Sequence, residues 1–386
     1  MHIFKSGKIQ EVDRIALNVK ATEEIRLKRC SVLVTGAAAP GFVSIVKALK
    51  ASTTYDMRIL GSDYIETLSA KEFVKQSYVL PDNRSPEFAG ALLDLCTRMK
   101  IDVVLPIRTD DQLPICRKLG DFRSAGVEPA IVTTDPDLID SILNKRKLME
   151  YCSEVIGLET PNFMYSDNKD GLRSAVEKLG YPDVPVAIKP SHSMGSRGLR
   201  ILDEKIDRRK QFFDEKPSGI YSTLDNVLAS IGDNFPEILV MEYLPGNEYT
   251  VDVLCRKGQT FAVIPRLRKR MTGGITTSGV VAKDHNYNDI KSSVESIVEG
   301  FGLSYNVGTQ FRESSTGTPL LLEINPRLQG TTTMSVAAGV NIPELMVQMA
   351  LQEFDYDYKP NIKWGLEMQR VWLEIFKDDT KIWKNE

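Results

Sequence analysis

The sequence has few of the residues on which several common kinds of site depend. Its three histidines and five cysteines are scattered, with no CxxC pair, so we expect neither a zinc site nor a disulfide framework. No run of about 18 apolar residues occurs, and the first thirty residues lack the apolar core of a signal peptide, so no membrane span is expected. The net charge is -3, with Lys and Arg spread along the chain, which argues against a surface for nucleic acid. These absences predict a cytoplasmic protein.

The order of apolar segments predicts an α/β fold followed by an α+β fold. Up to residue 106, short apolar strands alternate with helical patterns, which is typical of a parallel, Rossmann-like sheet. From residue 249 onward, long strands predict an antiparallel sheet. The expected strands lie at 30–35, 57–61, 102–106, 184–190, 237–243, 249–256, 260–268, 305–313 and 319–325, and the expected helices lie near 42–49, 86–99, 134–152, 288–301 and 331–351.

A lysine at the end of an apolar strand precedes a loop of small residues. Lys189 and Pro190 are followed by Ser191, and the loop contains Gly195 and Gly198. Backbone amides approach a phosphate closely only where side chains are small, and an ammonium group neutralises its charge. The order is not that of GxxxxGK[ST], because the lysine comes before the glycines. Taken alone, the pattern favours an ordinary strand-to-turn junction over a phosphate loop.

Two glutamates bracket a tight Pro-Gly turn at residues 245–246. Glu242 precedes the turn, and Glu248 follows it at the start of an alternating strand. One carboxylate could accept from an adenine amino group, and the other could accept from both hydroxyls of a ribose. Taken alone, a surface hairpin with solvated acids is the simpler explanation.

The most specific pattern is a hairpin that places three oxygen-bearing side chains together. Glu323 and Asn325 alternate on one strand and therefore share a face. Folding the hairpin about the turn at 314–318 sets Gln310 opposite Glu323, to within one residue. Oxygen ligands that converge in this way suit a hard cation, whereas a polar face buried without partners would be costly. The hairpin therefore favours a metal site, with Arg327 just beyond the strand.

These blocks occur in the order found in the ATP-grasp superfamily. Over about residues 31–350 the chain resembles the single-copy proteins that are similar to carbamoyl phosphate synthase. The segment Glu-Ile-Asn-Pro-Arg at 323–327 is close to a hallmark of that family. Many relatives carry a second glutamate where this chain has Gln310, so the resemblance implies a metal site of lower negative charge.

The resemblance also implies roles for individual residues. Positively charged and small residues would contact the nucleotide phosphates, the acids around the Pro-Gly turn would bind the nucleoside, and the hairpin would hold magnesium. The implied phosphate contacts are Lys145, Lys189, Ser191, Gly195 and Gly198; the implied adenine contacts are Glu242 and the backbone near Leu244, and Glu248 would bind the ribose; the implied magnesium ligands are Gln310, Glu323 and Asn325, with Arg327 facing the transferring phosphoryl group or the substrate carboxylate.

The resemblance implies a ligase that uses ATP and Mg²⁺, with Mn²⁺ as a substitute, to activate a carboxylate as an acyl phosphate for attack by an amine or ammonia. It implies an N-terminal extension and Rossmann-like domain over 1–130, a central lid lobe over 131–245, and a C-terminal catalytic lobe and tail over 246–386. The expected partners are small-molecule carboxylates and amines, and a homodimer is left open. Phosphorylation of carboxylate or carbamate, as in carbamoyl phosphate synthesis, and a catalytically silent nucleotide-binding protein are the alternatives.

Three further features have two interpretations each. Arg266, Arg268 and Arg270 recur at alternate positions and could clamp a carboxylate or form a solvated strand edge. The segment 109–111 (Thr-Asp-Asp) could meet a substrate amine or, somewhat better, cap a helix. The loop at 36–41 and Asp63 form half of a dinucleotide-binding pattern, but the glycine spacing departs from GxGxxG.

Overall fold

The first part of the chain forms a parallel sheet covered by helices, as predicted. The computed structural model of the protein describes residues 27–193, 197–214 and 219–384. The strand order is β3-β2-β1-β4-β5, with parallel pairing throughout. The strands are β1 Lys28–Thr35, β2 Tyr55–Asp63, β3 Gln76–Val79, β4 Val103–Leu105 and β5 Glu128–Pro129, and the helices are α1 Phe42–Lys50, α2 Leu68–Phe73, α3 Phe88–Met99, α4 Gln112–Arg117 and α5 Leu119–Ser124.

The middle part forms a separate five-stranded sheet. Its strand order is β6-β10-β7-β8-β9, and its apolar core draws only on residues from 164 to 240. The preceding helices α6 and α7 pack instead on the cores of the first and third sheets. The elements are α6 Pro136–Leu143, α7 Lys145–Glu150, a π-helical turn Tyr151–Ile156, β6 Phe163–Ser166, α8 Lys169–Lys178, β7 Val186–Pro190, β8 Arg200–Leu202, α9 Arg208–Asp214, β9 Tyr221–Ser222, α10 Leu224–Ile231 and β10 Ile238–Glu242.

The third part is built on a long sheet with antiparallel pairing. Its order is β15-β14-β11-β12-β13-β16. A separate hairpin, β17 with β18, lies near the end of the chain. The elements are β11 Glu248–Arg256, β12 Gln259–Thr272, β13 Ile275–Val281, α11 Tyr287–Gly300, β14 Tyr305–Glu313, β15 Pro319–Asn325, α12 Thr333–Ala337, α13 Ile342–Ala350, β16 Glu367–Gln369, β17 Ile375–Lys377 and β18 Ile382–Lys384.

One apolar core joins the first and third sheets. It contains Val32 and Phe42 from the first sheet and its helices, and Ile264 and Leu345 from the third. The two parts are therefore packed on each other. Within the described ranges, no helix is both long and apolar enough to cross a bilayer.

The prediction of one continuous helix over 331–351 is wrong. The helix is interrupted between α12 and α13, where Gly339 has a φ of +103°. Asn341 then caps α13 by accepting from the backbone N–H of Glu344, and Pro343 lies in the first turn, where its missing N–H costs nothing. Gly339 therefore ends the first helix and Asn341 begins the second, although the apolar periodicity continues across both.

Candidate active site

The two faces of the third sheet differ in polarity. Tyr249, Val251 and Val253 point into the apolar core on one face. Because side chains alternate along a strand, Thr250 and Asp252 point to the other face. The hairpin of β14 and β15 extends this polar face, and it places Gln310 directly opposite Glu323 and Gly308 opposite Asn325. The three expected metal ligands are thus side by side, and Asn325 Nδ2 donates to Glu323 Oε1 at 3.0 Å.

Two buried lysines approach this hairpin from the middle part of the chain. Lys189, in β7, donates from Nζ to the carbonyl of Leu322 at 3.2 Å. Lys145, at the start of α7, donates to the carbonyl of Ser193 and to its hydroxyl at 3.2 Å. The backbone N–H of Lys145 also donates to the carbonyl of Ser191 at 2.9 Å, so the start of α7 is fixed to the residue that follows β7.

The charges of these groups affect one another. Burial is the main cause that lowers the pKa of Lys189 to about 8, with Lys145 adding repulsion and Glu323 opposing. Burial would raise the pKa of Glu323, but Lys189, Lys145, Asn325 and Arg327 together hold it below its usual value. One carboxylate is therefore surrounded by three cations, which is an environment that favours a further anion such as a phosphate.

Arg327 links the hairpin to the first part of the chain. Its Nε donates to Thr109 Oγ1 at 3.0 Å, its Nη1 donates to the carbonyl of Leu328 at 3.1 Å, and its Nη2 donates to Asn325 Oδ1 at 3.1 Å. Thr109 begins a short 3-10 turn, Thr109–Asp111, that follows β4. The sequence allows the segment 109–111 to contact a substrate amine, but the contact of Thr109 with Arg327 was not expected, because 218 residues separate the two.

The residues expected to bind the nucleoside lie on the segment between β10 and β11. Glu242 ends β10, and its Oε2 accepts from Asn162 Nδ2 at 2.7 Å. Leu244 is buried. Glu248 is ion-paired with Arg268 and lies 4.0 Å from Nη1 of Arg312. A ribose that bonded to Glu248 would have to share this carboxylate with the two arginines.

The loop predicted to bind phosphate is described only in part, and Gly195 lies outside the described residues. Gly198 has a φ of +75°, and a Cβ there would lie 2.6 Å from Pro190 Cδ, so a glycine is required at this position. Ser191 has a buried hydroxyl with no hydrogen-bond partner among the described residues. Its backbone N–H donates to the carbonyl of Glu237 at 2.9 Å.

The alternate arginines do not form a solvated edge at their first two positions. Arg266 is 1% exposed, and its Nη2 donates to Asp252 Oδ1 at 2.8 Å and to Gln329 Oε1 at 2.6 Å. Arg268 is buried against Glu248. Arg270 is exposed. The first two guanidinium groups are therefore held within the sheet rather than presented as a clamp.

The helix-cap interpretation of residues 109–111 is wrong. Asp111 precedes α4 but makes no capping hydrogen bond with its side chain. It is buried and accepts instead from the hydroxyl of Thr35 and from Asn83 Nδ2.

The dinucleotide interpretation of Asp63 is not supported either. Asp63 accepts from the backbone N–H of Ala38 and of Tyr64, each at 2.8 Å, and it pairs with Arg108 at 3.3 Å. Its side chain is 1% exposed. A ribose would have to displace these contacts. Asp63 therefore holds the loop at 36–41 through Ala38 and is not available to a dinucleotide.

Comparisons with known proteins support the same fold. Residues 234–372 match the family described as "ATP-grasp in the biosynthetic pathway with Ter operon". The carbamoyl phosphate synthase large chain of Campylobacter jejuni is 21% identical over 77% of this chain, and the match spans only 26% of that protein.

Two solved structures illustrate the similarity in fold. The biotin carboxylase domain of 2-oxoglutarate carboxylase from Hydrogenobacter thermophilus, solved with MgADP and bicarbonate, has a TM-score of 0.62 and 16% identity, with 92% of this chain and 83% of that chain covered. The L-amino acid ligase from Bacillus licheniformis has a TM-score of 0.59 and 16% identity, with 87% and 78% covered. The chain thus shares the ATP-grasp fold of these structures, and its residues 234–372 match the model of an ATP-grasp family.

Proposed function

We propose that this protein is an ATP- and Mg²⁺-dependent ligase that activates a carboxylate as an acyl phosphate, with release of ADP, for attack by an amine or ammonia. The observation that carries the proposal is the cluster in which Lys145, Lys189 and Arg327 surround Glu323, next to two amide side chains. Such a cluster combines positive charge for phosphates with oxygen ligands for a hard cation.

The chemistry explains why these charges are needed. A carboxylate is a poor acyl donor because an oxide or hydroxide leaves badly. Transfer of the terminal phosphoryl group of ATP to a carboxylate oxygen forms a mixed anhydride. Attack by a neutral amine then forms the C–N bond, breaks the C–O bond to phosphate and releases inorganic phosphate. The protein must position the reactants and neutralise the charge that develops, which is the task we assign to Lys189 and Arg327.

The donor set fits magnesium. Glu323 supplies one carboxylate, and Gln310 and Asn325 supply neutral amide oxygens, all of which are hard ligands. The carboxylate is kept ionised by the nearby cations. Mg²⁺ bound there would neutralise charge on the phosphates, and Mn²⁺, which accepts the same ligands, would replace it. Within the described ranges, no group of three or more His, Cys, Asp or Glu is arranged to hold a metal ion, so the amide oxygens are essential to this assignment.

We place the nucleotide between the second and third sheets. Glu242 and the backbone near Leu244 would contact adenine, and Glu248 would contact the ribose while it remains paired with Arg268. Ser191, Gly195 and Gly198 would lie along the phosphates with Lys145 and Lys189. Replacing Glu248 with alanine should therefore reduce the preference for ATP over 2′-deoxy-ATP.

The test is a screen of carboxylates paired with amines for phosphate release in the presence of ATP and Mg²⁺. The expected products are ADP and phosphate, and hydroxylamine should trap the activated carboxylate as a hydroxamate. AMP with pyrophosphate would show adenylation and contradict the proposal. Turnover without an amine that yields a stable phosphorylated product would favour carbamoyl-phosphate-type chemistry. Tight nucleotide binding without turnover on any pair would favour a silent binding protein.

A further inference from the structure

A small pocket lies at the carboxyl ends of the parallel strands in the first part of the chain. Its cavity volume is about 10 Å³, which is room for one water-sized group. Strand β1 contributes to it, as do β2 and the segment that follows β4. Its polar lining includes Thr35, Ser62, Asp63, Asn83, Arg108 and Asp111, and apolar groups, among them Leu80 and Phe88, form the larger part of its surface.

The position of the pocket is typical of a ligand site. The strand order is β3-β2-β1-β4-β5, so the connections from β1 and β4 leave the sheet in opposite directions. In open parallel sheets, ligands bind outside the carboxyl ends of the strands at this switch in strand order. The pocket lies on the β1–β2 side of that switch.

One hydroxyl in the pocket has no partner. Ser62 is 1% exposed, and its Oγ makes no hydrogen bond with any described residue. A buried polar atom without a partner costs free energy, so this hydroxyl favours a ligand that supplies a hydrogen bond.

The lining carries one net negative charge when both acids are ionised. Asp63 and Asp111 supply two carboxylates, and Arg108 supplies one cation. A carboxylate has about four acceptor sites. Protein donors occupy three of these acceptor sites at Asp63 and two at Asp111. Both acids therefore keep acceptor capacity for a small cationic donor.

The electrostatics of Asp111 agree with an incomplete site. Burial raises the pKa of Asp111 to about 6, although Thr35, Asn83 and Arg108 act in the opposite direction and Asp110 adds repulsion. A bound cation would compensate the buried charge and lower this pKa.

The pocket is close to the proposed phosphoryl-transfer site. Arg108 lines it, and the next residue, Thr109, accepts a hydrogen bond from Arg327 at 3.0 Å. The pocket and the arginine that we place at the acyl phosphate are therefore contacted by two consecutive residues of the segment after β4.

We propose that this pocket binds the ammonium head group of the amine substrate, which passes one proton to the carboxylate of Asp111 before the neutral amine attacks; the inference rests on the ligase activity proposed above. An ammonium group is about the size of a water molecule and carries only donors, so it matches the unpartnered hydroxyl and the two carboxylates. The substrate class is then a primary amine rather than a tertiary or quaternary one.

The test uses methylammonium chloride as the probe and the full-length protein in the absence of ATP. The backbone amides of Ala38 and Tyr64 donate to Asp63, so their ¹H–¹⁵N NMR shifts report directly on the pocket. Tetramethylammonium chloride at the same ionic strength is the probe control, because it has no N–H donor and is too large. Saturable shifts with methylammonium alone are expected.

Variants locate the binding. Ser62→Val should fill the pocket, and Asp63→Asn should remove one negative charge, so each should weaken methylammonium binding at least tenfold. Thr260→Val is the matched control, because the buried hydroxyl of Thr260 also has no partner among the described residues but belongs to β12 and does not line the pocket; methylammonium binding should be unchanged in this variant. Equal shifts with tetramethylammonium, or unchanged binding in both pocket variants, would mean that the pocket holds water only.

The two proposals fail separately. If methylammonium binds but no substrate pair yields ADP, the proposed ligase activity is wrong and the pocket remains a cation site. If ADP forms and the Ser62→Val variant keeps full activity, the proposed ligase activity stands and the pocket is not the amine site.

Discussion

Lys189 should destabilise the ligand-free protein, because it is a cation held in a buried site. Its pKa falls from 10.5 to about 8 through burial. The unfolded chain holds the proton up to pH 10.5, whereas the folded chain releases it near pH 8, so stability rises with pH between these values. Below the folded pKa the penalty is complete and amounts to about 3 kcal/mol, at 1.36 kcal/mol for each pH unit of the shift.

Replacing Lys189 with methionine should therefore stabilise the protein while removing nucleotide binding. The gain should be on the order of 3 kcal/mol at pH 7 and fall to roughly 1 kcal/mol at pH 9.5, where the folded wild type already carries a neutral lysine. The shift in the pKa of Lys189 already includes its attraction to Glu323, so nothing further is subtracted from the first figure. Urea unfolding at both pH values measures the gain, and a nucleotide titration measures the loss.

The exposed Lys178 provides the matched control. Lys178→Met should change stability by less than about 0.5 kcal/mol at either pH and leave nucleotide binding intact. A Lys189→Met protein that is less stable than wild type at pH 7, or whose gain does not shrink at pH 9.5, would refute the assignment of a buried, strained ammonium group.

Three further predictions concern other parts of the site. Glu323→Gln should lower ADP formation at least a hundredfold and weaken the dependence on Mg²⁺, as measured in a coupled assay across a Mg²⁺ titration; an unchanged Mg²⁺ dependence would exclude Glu323 as a ligand. Arg266→Met should destabilise the protein by about 3–5 kcal/mol in urea unfolding, because it leaves the carboxylate of Asp252 buried without its charge partner, and a double variant with Asp252→Asn should recover part of the loss. Gly198→Ala should weaken ATP binding in a direct titration, because its Cβ would lie 2.6 Å from Pro190 Cδ at a positive φ; unchanged affinity would place the phosphates elsewhere.

The sequence was sufficient for features that depend on neighbouring residues. The register of Gln310 with Glu323 follows from a short turn and strict alternation along two strands. The parallel sheet follows in the same way from short apolar strands that alternate with helices. The proposed boundaries near residues 130 and 245 fall between the three sheets, but helices α6 and α7 pack on the first and third cores, a preference that no local composition reveals.

The sequence was insufficient where a contact joins distant segments. Arg327 and Thr109 meet because the first sheet packs against the third. No motif in the sequence around either residue predicts this contact. The alternating run of arginines left two interpretations of Arg266 open, a carboxylate clamp and a solvated strand edge. Arg266 is buried because Asp252, on the adjacent strand, and Gln329, beyond the hairpin, supply its acceptors.

Gly308 shows how these long-range contacts organise the site. It lies opposite Asn325 on the polar face of the sheet, and a Cβ there would come within 2.2 Å of Gln329 Nε2. The amide of Gln329 therefore packs directly over the strand and reaches Arg266, which is held by Asp252. Asp252 in turn accepts from the hydroxyls of Ser335 at 2.7 Å and Thr332 at 3.2 Å. This network fixes the chain immediately after Arg327 and so limits the positions that its guanidinium group can take. The absence of a side chain at Gly308 is therefore required for the placement of the positive charge of Arg327.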